Sequence, residues 1–249
     1  MDLKEKVALV TGGNGGLGRR ICHALARAGV HVAVVCGVNI KAARDVAGEM
    51  RGYGVESEAF ACNLELPERI DQTVVDVAEH FGRIDILIND AALNKAIAFQ
   101  DLDSLDLEIW NQILAVNLTA PLLTCKAVAP IMKQQGAGRI VNISSVAGFA
   151  PSGSSIAYAV SKAGLNHLTK CMAVALAPEV LVNGVAPGLI EGTQLTSRLR
   201  PEMIERANKT ALLKKPADKD DIADQVVTMC RTDTMTGQTA IIDSGRIFN

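Results

Sequence analysis

The chain has no excess of charge of either sign. Its 25 Lys and Arg residues stand against 27 Asp and Glu, for a net charge of −2 and a sequence pI near 6.1. No strong field is therefore available to gather nucleic acid or an anionic membrane surface. It also lacks an uninterrupted apolar run of about 18 residues, the length a membrane-spanning helix needs. Met1 is followed by Asp-Leu-Lys-Glu-Lys rather than by a basic start and a long apolar stretch, unlike a secretory signal. These absences predict a cytoplasmic protein with a small-molecule partner, engaging neither nucleic acid nor membrane. The Asn-x-Ser/Thr triplets at Asn117, Asn142 and Asn208 then carry no meaning, because glycosylation belongs to the secretory route. The six cysteines form no Cys-x-x-Cys pair. They read as reduced thiols, and all but Cys230 lie in apolar or small-residue stretches expected in the core. The four histidines are dispersed and no His/Asp/Glu cluster has metal-ligand spacing, so no catalytic metal is expected.

What the chain does have is 49% hydrophobic residues in a length of 249, which suits one α/β domain with a large core. Short apolar runs at 6–12, 31–37, 57–64, 84–90, 139–145, 181–188 and 239–245 read as buried parallel strands. Helical stretches at 16–28, 40–51, 68–81, 107–135, 156–177 and 219–231 lie between them. The alternation predicts a doubly wound, seven-stranded parallel sheet with helices on both faces, Rossmann-like, with ligand bound beyond the carboxyl ends of the strands. No repeat or linker divides residues 1–249, so a single domain is expected. Residues 189–215 break the rhythm with Gly192, Pro201 and several charges; beside a ligand crevice such a segment is a lid or a helical surface insertion.

The first strand runs into Thr11-Gly12-Gly13-Asn14-Gly15-Gly16-Leu17-Gly18 and then a helix. Gly12 suits the sharp turn, Gly16 a close approach to a pyrophosphate and Gly18 tight helix–strand packing, with the helix N-terminus facing the anion. Tyr158 and Lys162 are four residues apart in a helical stretch and share a face. A phenol of reference pKa about 10 is a poor base near neutrality, and a cation one helical turn away favours the phenolate.

The T-G-x-x-x-G-x-G turn, Asn89-Asp90-Ala91-Ala92, Asn117 in a Val-Asn-Leu segment, and Pro187-Gly188 after the sixth strand together resemble the short-chain dehydrogenases/reductases. The resemblance runs along essentially the whole chain and is strongest to the 3-oxoacyl reductase-like branch. It implies hydride transfer between a nicotinamide cofactor and a carbonyl or secondary alcohol, with Asn117, Ser145, Tyr158 and Lys162 as the catalytic set. In it Tyr158 moves the proton and Lys162 binds the nicotinamide ribose. Ser145, thirteen residues before Tyr158, holds the substrate oxygen, and Asn117 bends its helix and holds a water on a proton path. Ser144 would face the other side of a continuing strand and is assigned to structure. The implied cofactor contacts are Gly12, Asn14, Gly16, Leu17, Gly18, Gly37, Val38, Asn39, Asn63, Leu64, Asn89, Ala91, Tyr158, Lys162, Pro187, Gly188, Ile190 and Thr193. The implied substrate contacts are Ser145, Val146, Ala147, Leu93, Asn94, Ser152 and the lid around Leu195 and Leu199.

Cofactor choice turns on Cys36-Gly37-Val38-Asn39, where no carboxylate stands to bind ribose hydroxyls and repel a 2′-phosphate. The arginine of many phosphate-binding relatives is also absent, Gly15 and Val38 standing in its usual places. Asn39, Lys41 and Arg19 remain as partners, and NADP(H) is favoured over NAD(H). Asn63 replaces an Asp that bonds adenine in relatives, and its amide oxygen can still accept that bond. Asp90 replaces an amide beside the cofactor, and Ser244 replaces a glycine.

An alcohol dehydrogenase or ketone reductase for a small or medium apolar substrate is the leading expectation. The alternative is a 3-oxoacyl-carrier-protein reductase, but Met132-Lys133-Gln134-Gln135 and Ala177-Pro178-Glu179-Val180 offer a depleted basic landing for an acidic carrier. A further alternative is a non-catalytic dinucleotide-binding sensor or scaffold. The resemblance also implies a homotetramer joined through the 107–135 and 156–177 helices.

Overall fold

The computed structural model describes residues 1–193, 196 and 201–248. At the centre of the sheet Val7–Thr11 forms β1, flanked by β2 (His31–Cys36) and, on the other side, by β4 (Ile86–Asn89). Beyond β2 lies β3 (Ser57–Ala61); beyond β4 lie β5 (Gly138–Ile143), β6 (Val180–Pro187) and β7 (Thr239–Ile242). The seven strands are parallel, in the order β3-β2-β1-β4-β5-β6-β7. The chain therefore winds one way from β1 and then the other from β4, which leaves a crevice at the carboxyl ends of these two strands.

Parallel strands covered on both faces are apolar without alternation, and successive side chains feed opposite cores. Ala8 and Val10 join Val34, Ile86 and Ile88 in one core, closed by α1 (Gly18–Arg27), α2 (Ile40–Arg51) and α8 (Lys219–Arg231). Leu9 joins Ala33, Leu87 and Ile140 in the other, closed by α3 (Pro67–Phe81), α5 (Ala120–Gln134) and α6 (Ile156–Leu176).

All the expected strands and helices are present, with differences that have local causes. The strand expected over 57–64 ends at Ala61, where Asn63 Oδ1 accepts from the Glu65 amide at 3.0 Å and turns the chain. The one expected over 239–245 ends at Ile242, because Ser244 (φ 59°) and Gly245 (φ 77°) adopt left-handed backbone. The 107–135 helix divides into α4 (Leu107–Leu114), a π-helical turn Ala115–Thr119 and α5. Its span Leu107–Gln134 has the length and mean hydropathy, 1.4, of a membrane helix. In this fold Ile113, Ala120, Val128 and Met132 of that span are buried. Residues 189–215 contain one further helix, α7 (Pro201–Thr210); Leu195 and Leu199 lie outside the described residues. Two cysteines exchange their expected places. Cys230 is buried on the inner face of α8 one turn after Val226, and Cys171 is exposed on α6 near the exposed Val174.

A buried polar chain crosses the sheet. Thr124 Oγ1 donates to Asn89 Oδ1 (2.8 Å), Asn89 Nδ2 to Asn142 Oδ1 (2.9 Å) and Asn142 Nδ2 to Thr169 Oγ1 (2.9 Å). It ties α5 to β4, β4 to β5 and β5 to α6. Removing its centre leaves buried donors and acceptors unpaired, at about 1–3 kcal/mol each. Asn142→Ala is expected to lower unfolding stability by about 3 kcal/mol, read as a reduced urea midpoint with an unchanged slope.

Candidate active site

β1 delivers the chain to Gly12 at a φ of +68°, and a Cβ there would lie 2.9 Å from the Ala91 backbone just past β4. Handedness and closeness both demand glycine at this crossing. Gly18 meets a purely spatial demand: a Cβ would press on the Gly12 carbonyl and come within 2.7 Å of the Asp90 carboxylate. Thr11 Oγ1 joins the two strand ends by accepting from the Asp90 and Ala91 amides at 3.1 and 3.3 Å. No side chain caps the start of α1 at Leu17, so its first-turn N–H groups remain for other acceptors. The Asp90 carboxylate lies beside Gly18, whose N–H lowers its pKa.

The crossing opens into a cavity of about 340 Å³ lined by Gly12, Asn14, Gly16, Leu17, Gly37, Ala91, Tyr158, Lys162, Pro187, Gly188, Ile190 and Thr193, all expected there from sequence. Asp90, Ala92, Ile143 and Thr196 add to the wall. A glycine-lined end beside an uncapped helix start suits a pyrophosphate, and a hydroxyl-and-ammonium end suits a ribose and nicotinamide. These residues fit a nicotinamide dinucleotide.

Six expected cofactor residues stand elsewhere. Gly18 serves packing. Val38 is 100% exposed beyond the cavity. Asn39 caps α2 by accepting from the Ala42 amide at 3.0 Å, and its carbonyl accepts from Asn14 Nδ2 at 3.5 Å. Asn63 makes the turn after β3, Leu64 packs on the α3 core, and Asn89 is buried in the polar chain through the sheet. Arg19, expected as a phosphate partner, is instead forked onto Glu49 at 2.6 and 2.8 Å.

A second cavity of about 200 Å³ meets the first, and Ser145, Tyr158, Gly188 and Thr196 line both. Of the expected substrate residues, Ser145, Val146, Ala147, Asn94 and Ser152 line it. Leu93 does not; its backbone N–H donates to Asn117 Oδ1 (2.7 Å) and its carbonyl accepts from Asn117 Nδ2 (2.9 Å). Leu189 and Ala207, from the segment 189–215 expected as a lid, line it too, whereas sequence reading missed Gly153, Ser154 and Arg246. Ser154 and Arg246 belong to no motif, and Arg246 comes from a segment that only the turn after β7 brings here.

Local bonds hold the chemical groups. Ser155 starts α6 by accepting from the Tyr158 amide at 3.2 Å, and the Ser145 hydroxyl stands near enough to the Tyr158 phenol to lower its pKa. Ser145 Oγ also accepts from Ala147 N at 3.2 Å, whereas Ser144 Oγ donates to the Lys162 carbonyl at 3.2 Å and fastens α6 to β5. Lys162 Nζ donates to the Ile143 carbonyl at 2.8 Å and lies 5.8 Å from the Tyr158 ring centroid. Asn117 is fully buried in the π-turn; besides Leu93, its Nδ2 donates to Ser161 Oγ at 3.1 Å. Ser161 Oγ in turn donates to the Tyr158 carbonyl at 2.7 Å, so Asn117 braces both the loop at Leu93 and the first turn of α6.

Burial dominates the electrostatics. It pushes the Lys162 ammonium down to about 8 against the opposing charge of Asp90. It pushes Asp90 up to about 7, against Lys162 and the Gly18 N–H. Contrary to the expectation from spacing, Tyr158 lies above its ordinary value: burial raises it, Ser145 lowers it and Asp90 raises it further. The Lys162 charge is directed at the Ile143 carbonyl, and the phenol loses more solvation than the site returns.

Because folded Asp90 holds its proton up to about pH 7 and a free carboxyl only to about pH 4, folding stability falls as pH rises through that window. Urea unfolding should show this fall, about 2 kcal/mol between about pH 5 and about pH 8, in the wild type. Asp90→Asn should lack it. Equal pH dependence in the two proteins would reject a buried, proton-retaining Asp90.

The geometry has close parallels among known proteins. Residues 6–204 match the family model of the short chain dehydrogenases. The 3-oxoacyl-[acyl-carrier-protein] reductase FabG of Aquifex aeolicus is 36% identical over 249 residues, 98% of each chain. Human dehydrogenase/reductase SDR family member 4 is 35% identical over 248 residues, covering 98% of this chain and 88% of its own. An NAD⁺-bound xylitol dehydrogenase superposes with a TM-score of 0.90 at 28% identity, covering 98% of this chain and all of its own. A seven-stranded sheet wound both ways from Gly12, with a tyrosine, a lysine and a serine gathered at its carboxyl edge, thus places this chain in the short-chain dehydrogenase/reductase family, as an NAD(P)-dependent oxidoreductase.

Proposed function

We propose that the protein is a ketone reductase or alcohol dehydrogenase acting on a small carbonyl compound or the matching secondary alcohol. The observation that carries this reading is the position of Tyr158 and Ser145 together in the wall shared by the two cavities. The cofactor, when bound, supplies or accepts the hydride. Ser145 holds the substrate oxygen by a hydrogen bond, and Tyr158 gives that oxygen a proton in reduction and takes it back in oxidation. Lys162, dry and cationic below about pH 8, stabilises negative charge on the phenol oxygen and binds hydroxyls at the ribose end. Asn117 acts as a positioning residue through Ser161 and the Leu93 loop. Val146, Ala147, Leu189 and Ala207 give the second cavity an apolar flank for the substrate's carbon skeleton.

NADP(H) is the proposed cofactor. No carboxylate follows β2, and the exposed Lys41 in the first turn of α2 supplies positive charge there, Arg19 being held by Glu49. Pseudomonas aeruginosa RhlG, solved as an NADP complex, is a structural neighbour at 27% identity and TM-score 0.90. The carrier-protein reductase reading keeps the support of relatives such as the Aquifex aeolicus enzyme. The exposed apolar residues Leu107, Leu122, Val160 and Val174 on α4, α5 and α6 support the proposed homotetramer through those helices.

Tyr158→Phe keeps the ring and removes the proton carrier. It should lower kcat/KM by about a thousandfold while cofactor still binds, and retained turnover would refute the proton-transfer assignment. Calorimetric titration should show NADPH binding at least about tenfold more tightly than NADH, a difference of about 1.4 kcal/mol. The reverse order would overturn the NADP(H) choice.

A further inference from the structure

The second cavity has a chemical asymmetry. At one end stand the Tyr158 and Ser145 hydroxyls; elsewhere in its wall the guanidinium of Arg246 is the single charged group among the described residues. Arg246 forms no ion pair and no hydrogen bond among the described residues, whereas arginines such as Arg19, Arg83 and Arg139 each hold a carboxylate.

The backbone that presents Arg246 is firmly held. Asp243 carboxylate oxygens accept from the Gly245 and Ile247 amides at 2.9 and 2.7 Å, one on each side of Arg246. Ser244, in left-handed backbone, donates from its hydroxyl to the Pro216 carbonyl at 3.1 Å. The Ser244 and Gly245 carbonyls accept from the Leu213 and Leu212 amides at 3.1 and 3.2 Å. The serine that departs from the family's usual glycine thus has a place here: it pins the turn that carries the arginine.

Ser154, another residue of this wall, has its Oγ buried without a hydrogen-bond partner. The guanidinium of Arg246, without a partner among the described residues, is matched best by a carboxylate, whose two oxygens fit its planar fork. At about 200 Å³ the cavity has room for a short chain between Arg246 and the two hydroxyls.

We propose that the substrate is a short oxo acid, or in the reverse direction the corresponding hydroxy acid, whose carboxylate is held by Arg246 while its carbonyl oxygen meets Ser145 and Tyr158. The proposal rests on the reductase reading above and narrows its substrate from a small carbonyl compound to an anionic one. In reduction, hydride from the reduced nicotinamide bonds to the carbonyl carbon, the C=O π pair moves onto oxygen, and that oxygen takes the Tyr158 proton. The nicotinamide is left oxidised and the carboxylate unchanged.

The test compares acetoacetate and levulinate with their methyl esters as substrates for the wild type and for Arg246→Gln, with cofactor titration of the variant to verify that the site is assembled. The wild type should favour at least one acid over its ester by about tenfold or more in kcat/KM. In Arg246→Gln this preference should collapse to within about threefold, mainly through the KM of the acid, and Arg246→Lys should restore part of it. Added salt should shrink the wild-type preference, since the arginine is exposed. If the esters, or a neutral acetoacetyl thioester, are preferred and Arg246→Gln behaves as the wild type, the carboxylate site is overturned and the reductase reading stands. If no carbonyl compound is turned over, the reductase reading falls. Levulinate is then titrated calorimetrically into the NADP⁺-saturated proteins: binding to the wild type that is lost in Arg246→Gln upholds the carboxylate site, and equal or no binding overturns it.

Discussion

A lysine ammonium kept out of water, with the carboxyl of Asp90 in the wall of the same cavity, is the interaction on which the rest of the site depends. Lys162 is 2% exposed, donates to the Ile143 carbonyl and is lowered to about 8, while Asp90 is raised to about 7. Each charge relieves part of the desolvation the other suffers, and neither is fully compensated. Near physiological pH each member therefore stands close to the point where its charge is gained or lost, so an anion at the start of α1 or hydroxyls beside Lys162 act on both members. The Tyr158 phenol feels the same dryness and is raised with Asp90. Its readiness to take and give a proton depends on what occupies the cavity as well as on its own helix.

Such a pair exists only because the sheet winds both ways from its centre. Asp90 follows β4, Lys162 lies on α6, and the two are joined by the Gly12–Ala91 crossing and by the fastening of α6 to β5 through Ser144. Glycine at positions 12 and 18 lets β1, β4 and α1 approach to a distance no Cβ would allow. The Asp90 carboxylate then fills the space beside Gly18. Next to a site for a pyrophosphate this carboxylate is tolerable in its protonated form, which burial favours. The replacement of an amide by an acid here thus leaves the geometry intact and adds a proton-dependent charge to the cofactor side.

Residues read from motifs met different outcomes according to how much of their role is local. The glycine turn, the Tyr158–Lys162 face and the strand-end Ser145 depend on spacing within one element or across one turn, and the structure gathers them at one cavity. Asn89 and Asn63 sat in equally recognisable contexts, yet one is consumed by a polar chain through the sheet and the other by the turn after β3. A side chain's hydrogen-bond partners lie on other elements, and spacing along the chain does not name them. The same limit applies to Asn117, whose partners Leu93 and Ser161 lie 24 and 44 residues away, and to Arg19, which pairs with Glu49 on a neighbouring helix.

By itself the sequence determined the alternation of strands and helices, the parallel sheet covered on both faces, the glycine crossing and the tyrosine–lysine pair. Each follows from periodicity or backbone geometry over a few residues. Tertiary structure alone decided which charges are dry, which amides are spent, and that Arg246, in a C-terminal turn without a motif, faces the same cavity as Tyr158. The physical reason is that solvation and pairing are set by neighbours from distant parts of the chain. Those neighbours are fixed only when β6 and β7 join the sheet and the segments that follow them reach its carboxyl edge.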